Sequence, residues 1–204
     1  MIEILYEDDW IIAVNKKAGI LTIPNNKDDK NTLTSQLNEL LKKRGLSLKA
    51  HPCHRLDRET SGVIIFAKGK KNQQEFMSLF HSNSVKKRYI ALVRDRLDKK
   101  SGTINFKIEN KEAITKYNVI KEYDGYSLVD IELFTGRTNQ IRIHFKMIGH
   151  PLLGESKFAF RKDFNIKFKR VALHSEEISF FHPFLRKEIT ITADIPPDMK
   201  KLIF

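Results

Sequence analysis

The sequence predicts an α+β fold with a largely antiparallel or mixed sheet. Segments with strand character mostly follow one another and are joined by short turns, while helical segments are few. This order does not show the regular alternation of strands and helices that indicates a doubly wound parallel sheet. The 204 residues contain no internal repeat and no linker, and their number is typical of one domain. We therefore expect a single domain over residues 1–204.

The first quarter of the chain predicts a hairpin, a loop and a helix. IEILY and WIIAV are β-rich runs on either side of the acidic turn Glu7-Asp8-Asp9. Residues 16–31 have the Gly, Pro, Asn and Asp content of a loop. TLTSQLNELLKKRG then has helical spacing, with Thr32 as a cap at its start and Gly45 at its end. The apolar face of this helix consists of Leu33, Leu37, Leu40 and Leu41.

Loops and buried elements follow in the second quarter. Residues 46–60 are polar and irregular, and we expect a loop there. GVIIFAK is a continuous apolar run of strand length and predicts a central strand. KKNQQEFMSLFHSNS predicts a helix with Phe76, Met77 and Phe80 facing inward, and KRYIALVRD predicts the next strand.

The second half is mainly β in character. TINFKI, AITKYNVIKEY and YSLVDIELF predict strands, and Asp124-Gly125 between the last two is a strong hairpin signal. TGRTNQIRIHFKMIGHP predicts a turn and a helix, which Gly149 and Pro151 end. VALHSEEISF and KEITITAD predict a last pair of strands, and IPPDMKKLIF predicts a terminal helix.

The charge of the chain favours a polyanionic partner. It has 37 Lys and Arg against 25 Asp and Glu, a formal net charge of +12, and phosphate contacts made by such an excess release counterions. Nucleic acid is favoured over a membrane surface, because we find no strongly basic amphipathic helix with Trp or Leu anchors. The alternative is a basic protein whose charge only keeps it in solution.

Composition and missing motifs exclude several classes of protein. No apolar run approaches the ~20 residues of a membrane span, and the acidic start MIEILYEDDW is unlike a secretory signal. Cys53 is the only cysteine, which excludes an intramolecular disulfide and a Cys-rich zinc site and favours a reducing cytoplasm. The sequence has no P-loop, dinucleotide-binding glycine turn, HExxH or GxSxG motif. We therefore expect no cofactor and no metal.

The first candidate site is HPCHRLDRETSGVIIFAK, residues 51–68. His54, Arg55 and Asp57 come shortly before a buried strand. A carboxylate flanked by arginines stays ionised and, when held out of bulk water, can act as a nucleophile or a base. The alternative is a solvated loop in which Asp57 and Arg55 form a structural ion pair, and residue type alone favours this alternative.

The second candidate site is LFTGRTNQIRIHF, residues 133–145. Arg137 and Arg142 are five residues apart at the entry to a helix, so one can reach phosphate while the other faces inward. The alternative is a basic, solvated helix face. On the strand KKRYIALV, alternation puts Tyr89 on one face with small apolar residues, where it is either a pocket wall or an ordinary core tyrosine. Lys87 lies in a basic triplet that can line the path of a phosphate backbone.

HRLDRETSG at residues 54–62 resembles the signature of the RluA family of RNA pseudouridine synthases. Other segments resemble the family in the same order and extend over nearly the whole chain: ILYEDDWIIAVNKKAGILTIP, KKRYIALV, TGRTNQIRIHF, GHPLLGESKF and LHSEEISFFHP. The resemblance implies the pseudouridine synthase fold, a curved, mixed and mostly antiparallel sheet with peripheral helices and a central cleft.

The resemblance also implies roles for single residues. Asp57 matches the nucleophilic aspartate of the family, and Arg142 matches the arginine that pairs with it. Tyr89 matches the tyrosine that stacks on the target uracil and is the favoured base for its C5 proton. Arg55 matches a residue that inserts into the gap left by the flipped nucleotide. The other candidates for contacts to RNA or the target base are His54, Lys87, Arg137, Asn139, Ile143 and Leu173.

Two positions depart from the pattern of the family. Asn139 stands where the family usually has His, and Lys17 stands where it usually has Pro. Asn still donates and accepts hydrogen bonds, so the first departure concerns the positioning of RNA more than catalysis. Because the chain starts at the hairpin of the catalytic domain, we expect no S4 RNA-binding domain, so that the catalytic domain itself recognises RNA.

The expected partner is structured RNA, either ribosomal or transfer, with no DNA and no membrane, and we expect a monomer. The basic stretch 155–170 is either a determinant of RNA choice or a solvated loop. A non-enzymatic RNA-binding module or chaperone and a metal-dependent nuclease are the competing functions. The set Asp57, Arg142 and Tyr89 favours the enzyme, because a binder needs no anion in its cleft. The sequence leaves three alternative roles for Asp57 in the reaction: attack on ribose C1′, addition to the uracil ring, or assistance to elimination.

Overall fold

The computed structural model describes residues 2–24, 31–82, 84–159, 164 and 166–204. The chain forms two compact units. The first unit consists of Met1–Val85 with Glu177–Asp194, and the second consists of Lys86–Glu176 with Ile195–Phe204. None of the helices in the described ranges is long and apolar enough to cross a membrane.

The first unit is built on strands that pair in the order β1-β2-β4-β9, with β10 next to β9 and β3 next to β4. The pairs β1/β2, β2/β4, β3/β4 and β9/β10 are antiparallel. Buried Val63 to Ala67 confirm the central strand predicted from GVIIFAK. The strand bounds are β1 Glu3–Glu7, β2 Ile11–Lys16, β3 Ala50–Pro52, β4 Ser61–Lys68, β9 Leu173–His182, which begins in the second unit, and β10 Lys187–Thr192.

Two helices belong to the first unit, α1 (Leu33–Lys43) and α2 (Lys70–His81). Thr32 caps α1 as predicted: its hydroxyl accepts the Ser35 N–H, and the Ser35 hydroxyl accepts the Thr32 N–H in return. Leu33, Leu37 and Leu41 are buried on the face that the sequence predicts. In α2, Phe76 is buried and its ring contacts the ring of Phe180 on β9.

The second unit is built on four strands in the order β5-β8-β7-β6, all antiparallel to their neighbours. Their bounds are β5 Lys86–Arg94, β6 Ser101–Ile104, β7 Thr115–Tyr123 and β8 Tyr126–Leu133. The predicted hairpin turn joins β7 to β8, and Gly125 takes the left-handed backbone conformation (φ +78°) that such a turn requires.

Helices α3 (Gln140–Met147) and α4 (Pro197–Ile203) complete the second unit. Met199 and Ile203 of α4 are buried against Ile90 and Leu92 of β5 and Leu128 of β8. This cluster places the terminal helix on the opposite side of β5 from Tyr89, because successive residues of a strand face opposite ways.

Two of the predicted strand and loop boundaries were wrong. The segment expected as a loop over residues 46–60 contains β3, whose Ala50 and His51 pair with Lys68 and Ala67 of β4. The strand predicted from TINFKI starts earlier and ends at Ile104. In both cases the bounds depend on pairing with a distant strand, which local pattern does not contain.

Candidate active site

The loop that carries Asp57 lies between β3 and β4 in the first unit, and its backbone is anchored at several points. The Thr22 hydroxyl donates to the Leu56 carbonyl and accepts the Leu56 N–H, and the Thr60 N–H donates to the Asp57 carbonyl. Leu56 and Thr60 are buried, whereas Asp57 between them is only half-buried. The fold therefore fixes the backbone on both sides of a partly accessible carboxylate.

Lys16, which has no exposed surface, binds the backbone of the same loop. Its ammonium donates to three carbonyls, at 2.7 Å from Thr60, 3.1 Å from Arg58 and 3.2 Å from Lys17. A buried cation is tolerated only where polar groups surround it, and these carbonyls meet that need. The positive charge thus lies next to the backbone of the turn that follows Asp57. Lys17, the position that departs from the family pattern, is exposed.

The remaining side chains of this motif divide into internal and exposed groups. Nε2 of His54 accepts the N–H of Ile65 on β4 at 3.1 Å, and its ring stacks on Phe80 at 4.4 Å, so His54 is part of the support of the loop. Arg58 donates from Nε to the Gly19 carbonyl. Arg55 is exposed, and within the described ranges its side chain makes no hydrogen bond or ion pair.

Cys53 does not compete with Asp57 as a nucleophile. Its thiol is buried, and this burial raises the pKa of the thiol to about 12. Since the thiolate is the reactive form, the thiol stays protonated and inert at neutral pH.

In the second unit, the start of α3 is fixed by the buried amide of Gln140. Its Oε1 accepts from the Thr135 hydroxyl and the Arg137 N–H, and its Nε2 donates to the Ile114 carbonyl and the Thr115 hydroxyl. All four hydrogen-bonding positions of the amide are used. One turn later, buried His144 bonds to the Thr115 hydroxyl and the Phe106 carbonyl, at 2.9 Å each.

Arg142 of α3 is buried and has partners that the sequence analysis did not predict. Its Nε and Nη2 donate to the two carboxylate oxygens of Glu155, at 2.7 and 2.8 Å, and its Nη1 donates to Oδ1 of Asn139 at 2.7 Å. Asn139 has a left-handed backbone (φ +55°), a conformation that Asn tolerates better than most residues. The departure from His at this position therefore supplies both a suitable turn residue and an acceptor for Arg142.

Glu155 is completely buried and ionised by its surroundings. Burial alone would raise the pKa of its carboxyl group, but the bonds from Arg142 and from the Lys157 and Phe158 N–H groups outweigh burial and hold the pKa below its usual value. The turn before it is equally fixed, since a Cβ on Gly154 would lie 1.8 Å from the carbonyl oxygen of Arg170.

Tyr89 and Lys87 lie on the face of the sheet that α3 covers. Tyr89 is directly opposite Ile131, and Ile131 is directly opposite Tyr117, so the three share one face. The Tyr117 ring contacts the ring of Phe145 on α3 at 5.6 Å. Lys87, two residues before Tyr89, falls on the same face. The second unit thus brings Tyr89, Lys87 and the helix of Arg142 to one side of its sheet.

Lys87 is buried, unlike its two neighbours in the basic triplet. Only 7% of its surface is exposed, whereas Lys86 and Arg88 on either side are exposed. Among the described residues, no acceptor lies within hydrogen-bond distance of its ammonium, and burial lowers the pKa of Lys87.

The other candidates in the second unit differ in accessibility. Arg137 is exposed and donates from Nε to the Glu112 carbonyl, in contrast to buried Arg142, so the two arginines do point in different directions as predicted. Ile143 is half-buried on α3, and Leu173 is buried at the start of β9.

The basic stretch 155–170 is not uniformly solvated. Arg170 is buried and pairs with Asp198 of α4 through two bonds of 2.7 and 3.0 Å. It therefore supports the fold. Lys157, Lys167 and Lys169 are exposed, and Arg161 and Lys162 lie outside the described residues.

Sequence reasoning missed Lys16, Gln140 and Glu155, all of which support the candidate residues. Each stands within a segment that resembles the family, namely NKKAG, TNQIR and GHPLLGESKF. Only their burial identifies them, and burial is not visible in these short polar segments. Within the described ranges, no group of three or more His, Cys, Asp or Glu side chains could hold a metal ion.

Comparisons with known proteins identify the family of the chain. The family model for RNA pseudouridylate synthase matches residues 10–147. The chain is 31% identical to the uncharacterized RNA pseudouridine synthase YjbO of Bacillus subtilis, over 99% of this chain and 75% of that protein. It is 32% identical to the dual-specificity RNA pseudouridine synthase RluA of Haemophilus influenzae, over 94% of this chain and 92% of that protein.

The fold is that of solved pseudouridylate synthase domains. Human RNA pseudouridylate synthase domain containing 4 superposes with a TM-score of 0.80 at 21% identity, covering 98% of this chain and 93% of that one. Human RNA pseudouridylate synthase domain containing 1 superposes with a TM-score of 0.76 at 22% identity, covering 100% of this chain and 93% of that one. The predicted α+β pseudouridine synthase fold is confirmed. By its sequence match over residues 10–147 and its relatives over nearly its whole length, the chain belongs to the RNA pseudouridine synthase family and to the RluA-type enzymes within it.

Proposed function

We propose that this protein converts particular uridines of ribosomal or transfer RNA into pseudouridine, with Asp57 as the nucleophile and without a cofactor. Its relatives include proteins named as a dual-specificity synthase and as a synthase of the large ribosomal subunit, so both classes of RNA are candidates. The whole chain, residues 1–204, acts as one catalytic domain in this proposal, and it works as a monomer.

The observation that carries the proposal is the anchored loop of Asp57. Lys16 and Thr22 fix the backbone around a half-buried carboxylate that is followed by a buried strand. A nucleophile needs a fixed direction, and a loop with this many bonds to its backbone provides one. A loop that only binds RNA would gain nothing from a fixed anion, because RNA is itself anionic.

The reaction needs no group from outside the RNA. The bond between N1 of uracil and C1′ of ribose breaks, a bond forms between C5 and the same C1′, the C5 proton leaves and N1 takes one up. Nothing is oxidised or reduced. In this proposal Asp57 assists the cleavage, Arg142 pairs with Asp57 and fixes the direction of its carboxylate, and Tyr89 removes the C5 proton.

The target base has to leave the RNA stack before it can react. Extrusion costs a few kcal/mol, and stacking on Tyr89 offsets part of this cost at about 1–3 kcal/mol. We propose that Arg55 inserts into the gap that the flipped nucleotide leaves in the RNA. Its side chain is exposed and can therefore reach the RNA. Arg137, exposed on the second unit, is proposed to contact phosphate, while Asn139, Ile143 and Leu173 complete the surroundings of the base.

The proposal is tested with RNA that contains tritium at C5 of uridine. The purified protein, without any added cofactor and in the presence of EDTA, should release tritium and form pseudouridine. Asp57→Asn should lower the rate by on the order of 10⁴-fold or more while RNA still binds. Asp9→Asn, in the exposed turn between β1 and β2, is the matched control and should act as wild type.

Normal turnover by Asp57→Asn would end the assignment of the nucleophile. Loss of tritium release with EDTA would instead favour metal-dependent chemistry. RNA binding without any tritium release would favour the binding module. Pseudouridine maps of total RNA with and without the gene then identify the target uridine.

A further inference from the structure

Arg142 and Glu155 form a buried ion pair through two hydrogen bonds. We propose that Glu155 is a positioning residue of the reaction, which sets the plane of the Arg142 guanidinium and so the direction in which Arg142 acts on the catalytic carboxylate. The effect on the rate rests on the proposed function, whereas the effect on the orientation of Arg142 does not.

The first argument is the number of bonds. A single hydrogen bond lets a guanidinium turn, but two parallel bonds from Nε and Nη2 to both oxygens of one carboxylate define its plane. A third bond, from Nη1 to Asn139, and the ring of Phe158 at 5.1 Å from Cζ restrict it further. The side chain is left with little rotational freedom.

The second argument is that Glu155 cannot follow a movement of Arg142. Its Oε1 also accepts the N–H groups of Lys157 and Phe158, at 2.8 and 3.2 Å. Its own N–H donates to the Leu152 carbonyl, and Leu153 is bonded to Leu92 of β5. The carboxylate is therefore fixed relative to the strand that carries Tyr89.

The experiment compares Glu155→Gln with Glu155→Asp. Gln has the shape of Glu, but its NH₂ group cannot accept from the guanidinium. Asp keeps the charge but is one methylene shorter. We expect kcat of Glu155→Gln to fall by on the order of 10²-fold, with the Kd for RNA unchanged, and an intermediate loss for Glu155→Asp. Glu122→Gln is the control, because Glu122 pairs with exposed Lys100 and should keep wild-type kcat.

A second readout does not use activity. In ¹⁵N NMR spectra of the free protein, the Nε–H of Arg142 should give a slowly exchanging signal in the wild type and in Glu122→Gln. Arg142→Met assigns this signal. It should shift and exchange faster in Glu155→Gln.

Wild-type kcat in folded Glu155→Gln, or an unchanged Arg142 signal, would overturn the proposal. Lower stability with an unchanged kcat of the folded fraction would also overturn it and leave Glu155 a purely structural residue. If Glu155→Gln does not fold, Glu155→Asp decides, since wild-type kcat in that variant has the same meaning. If the wild type forms no pseudouridine, the proposed function fails, while the NMR signals still test the hold on Arg142.

Discussion

Glu155 binds Arg142 through both of its carboxylate oxygens, at 2.7 and 2.8 Å, although the two residues belong to different elements. Arg142 is on α3, whereas Glu155 lies in a turn. This turn is bonded to β5 through the N–H of Leu153, which donates to the Leu92 carbonyl. The orientation of the arginine is thus set by the packing of the turn on the sheet and not by the helix alone. This relationship makes the surroundings of the candidate residues testable by substitution.

Removing the hydroxyl of Tyr89 should slow the removal of the C5 proton. We expect Tyr89→Phe to lower kcat by about 10²–10⁴-fold and to keep RNA affinity, because the ring still stacks on the base. With uridine that carries deuterium at C5, the isotope effect on kcat should increase. Tyr117→Phe is the matched control, since Tyr117 shares the face and is 8% exposed against 7% for Tyr89. Normal turnover by Tyr89→Phe would show that its hydroxyl is not the base.

Replacing Lys16 should weaken both the fold and the reaction. Lys16→Met leaves the buried Thr60 carbonyl without the lysine donor and removes the bonds to the Arg58 and Lys17 carbonyls. We expect the free energy of unfolding to fall by about 2–4 kcal/mol in urea titrations. The folded fraction should also have a lower kcat, because the loop of Asp57 loses its support. Exposed Lys17→Met should change the free energy of unfolding by no more than about 0.5 kcal/mol. Equal effects of the two substitutions would contradict the role given to Lys16.

Lys87 should contribute to RNA binding and slightly lower the stability of the free protein. Burial lowers the pKa of this cation, so Lys87→Met should raise the free energy of unfolding slightly, by up to about 1 kcal/mol. The same substitution should weaken RNA binding and reduce the slope of log K against log salt by about one, as expected for a phosphate contact. Exposed Lys86→Met, measured alongside, should leave stability unchanged. An unchanged salt slope in Lys87→Met would remove this residue from the RNA interface.

The network around His144 predicts a loss of stability as pH falls. Nε2 donates to the Phe106 carbonyl, so neutral Nδ1 accepts from Thr115. Burial lowers the pKa of His144, which means that the unfolded chain binds this proton more readily than the folded one. The stabilisation is therefore present above the unfolded pKa of about 6.5 and is lost as pH falls below it, by at most about 1.4 kcal/mol per pH unit.

The measurement compares urea unfolding at pH 7.5 and pH 5.5. The wild type should lose more stability between these values than His144→Asn. Exposed His81→Asn should retain the pH dependence of the wild type. The same pH dependence in all three proteins would show that His144 is not the responsible group.

The sequence predicted the elements of the fold that depend on local chemistry. The capping box of Thr32, the leucine face of α1 and the turn at Asp124-Gly125 are each fixed by residues within a few positions of one another. The three-residue strand β3 was missed because Pro52 and the absence of alternation hide it. Only its pairing with β4 makes it a strand.

The sequence predicted the candidate residues that lie in recognisable motifs. It did not predict the supporting residues, which are recognised only by their burial in the fold. The resemblance selected Asp57, Tyr89 and Arg142, and the roles of these residues stay predictions until they are tested. Glu155 was missed because its partner is 13 positions away, across a turn whose course is set by β5. Lys87 looks solvated in a run of three basic residues, but strand alternation turns it to the covered face.

Gly154 has no side chain, no charge and no contact with RNA in any of these proposals. Its backbone is nonetheless pressed so closely against residue 170 that even an alanine methyl would force the two segments apart. Such a change would carry the neighbouring carboxylate with it and let the guanidinium on α3 swing. Because Arg142 acts on the catalytic carboxylate in our proposal, we expect a single methyl group at residue 154 to lower the activity from a position that bears no reactive group.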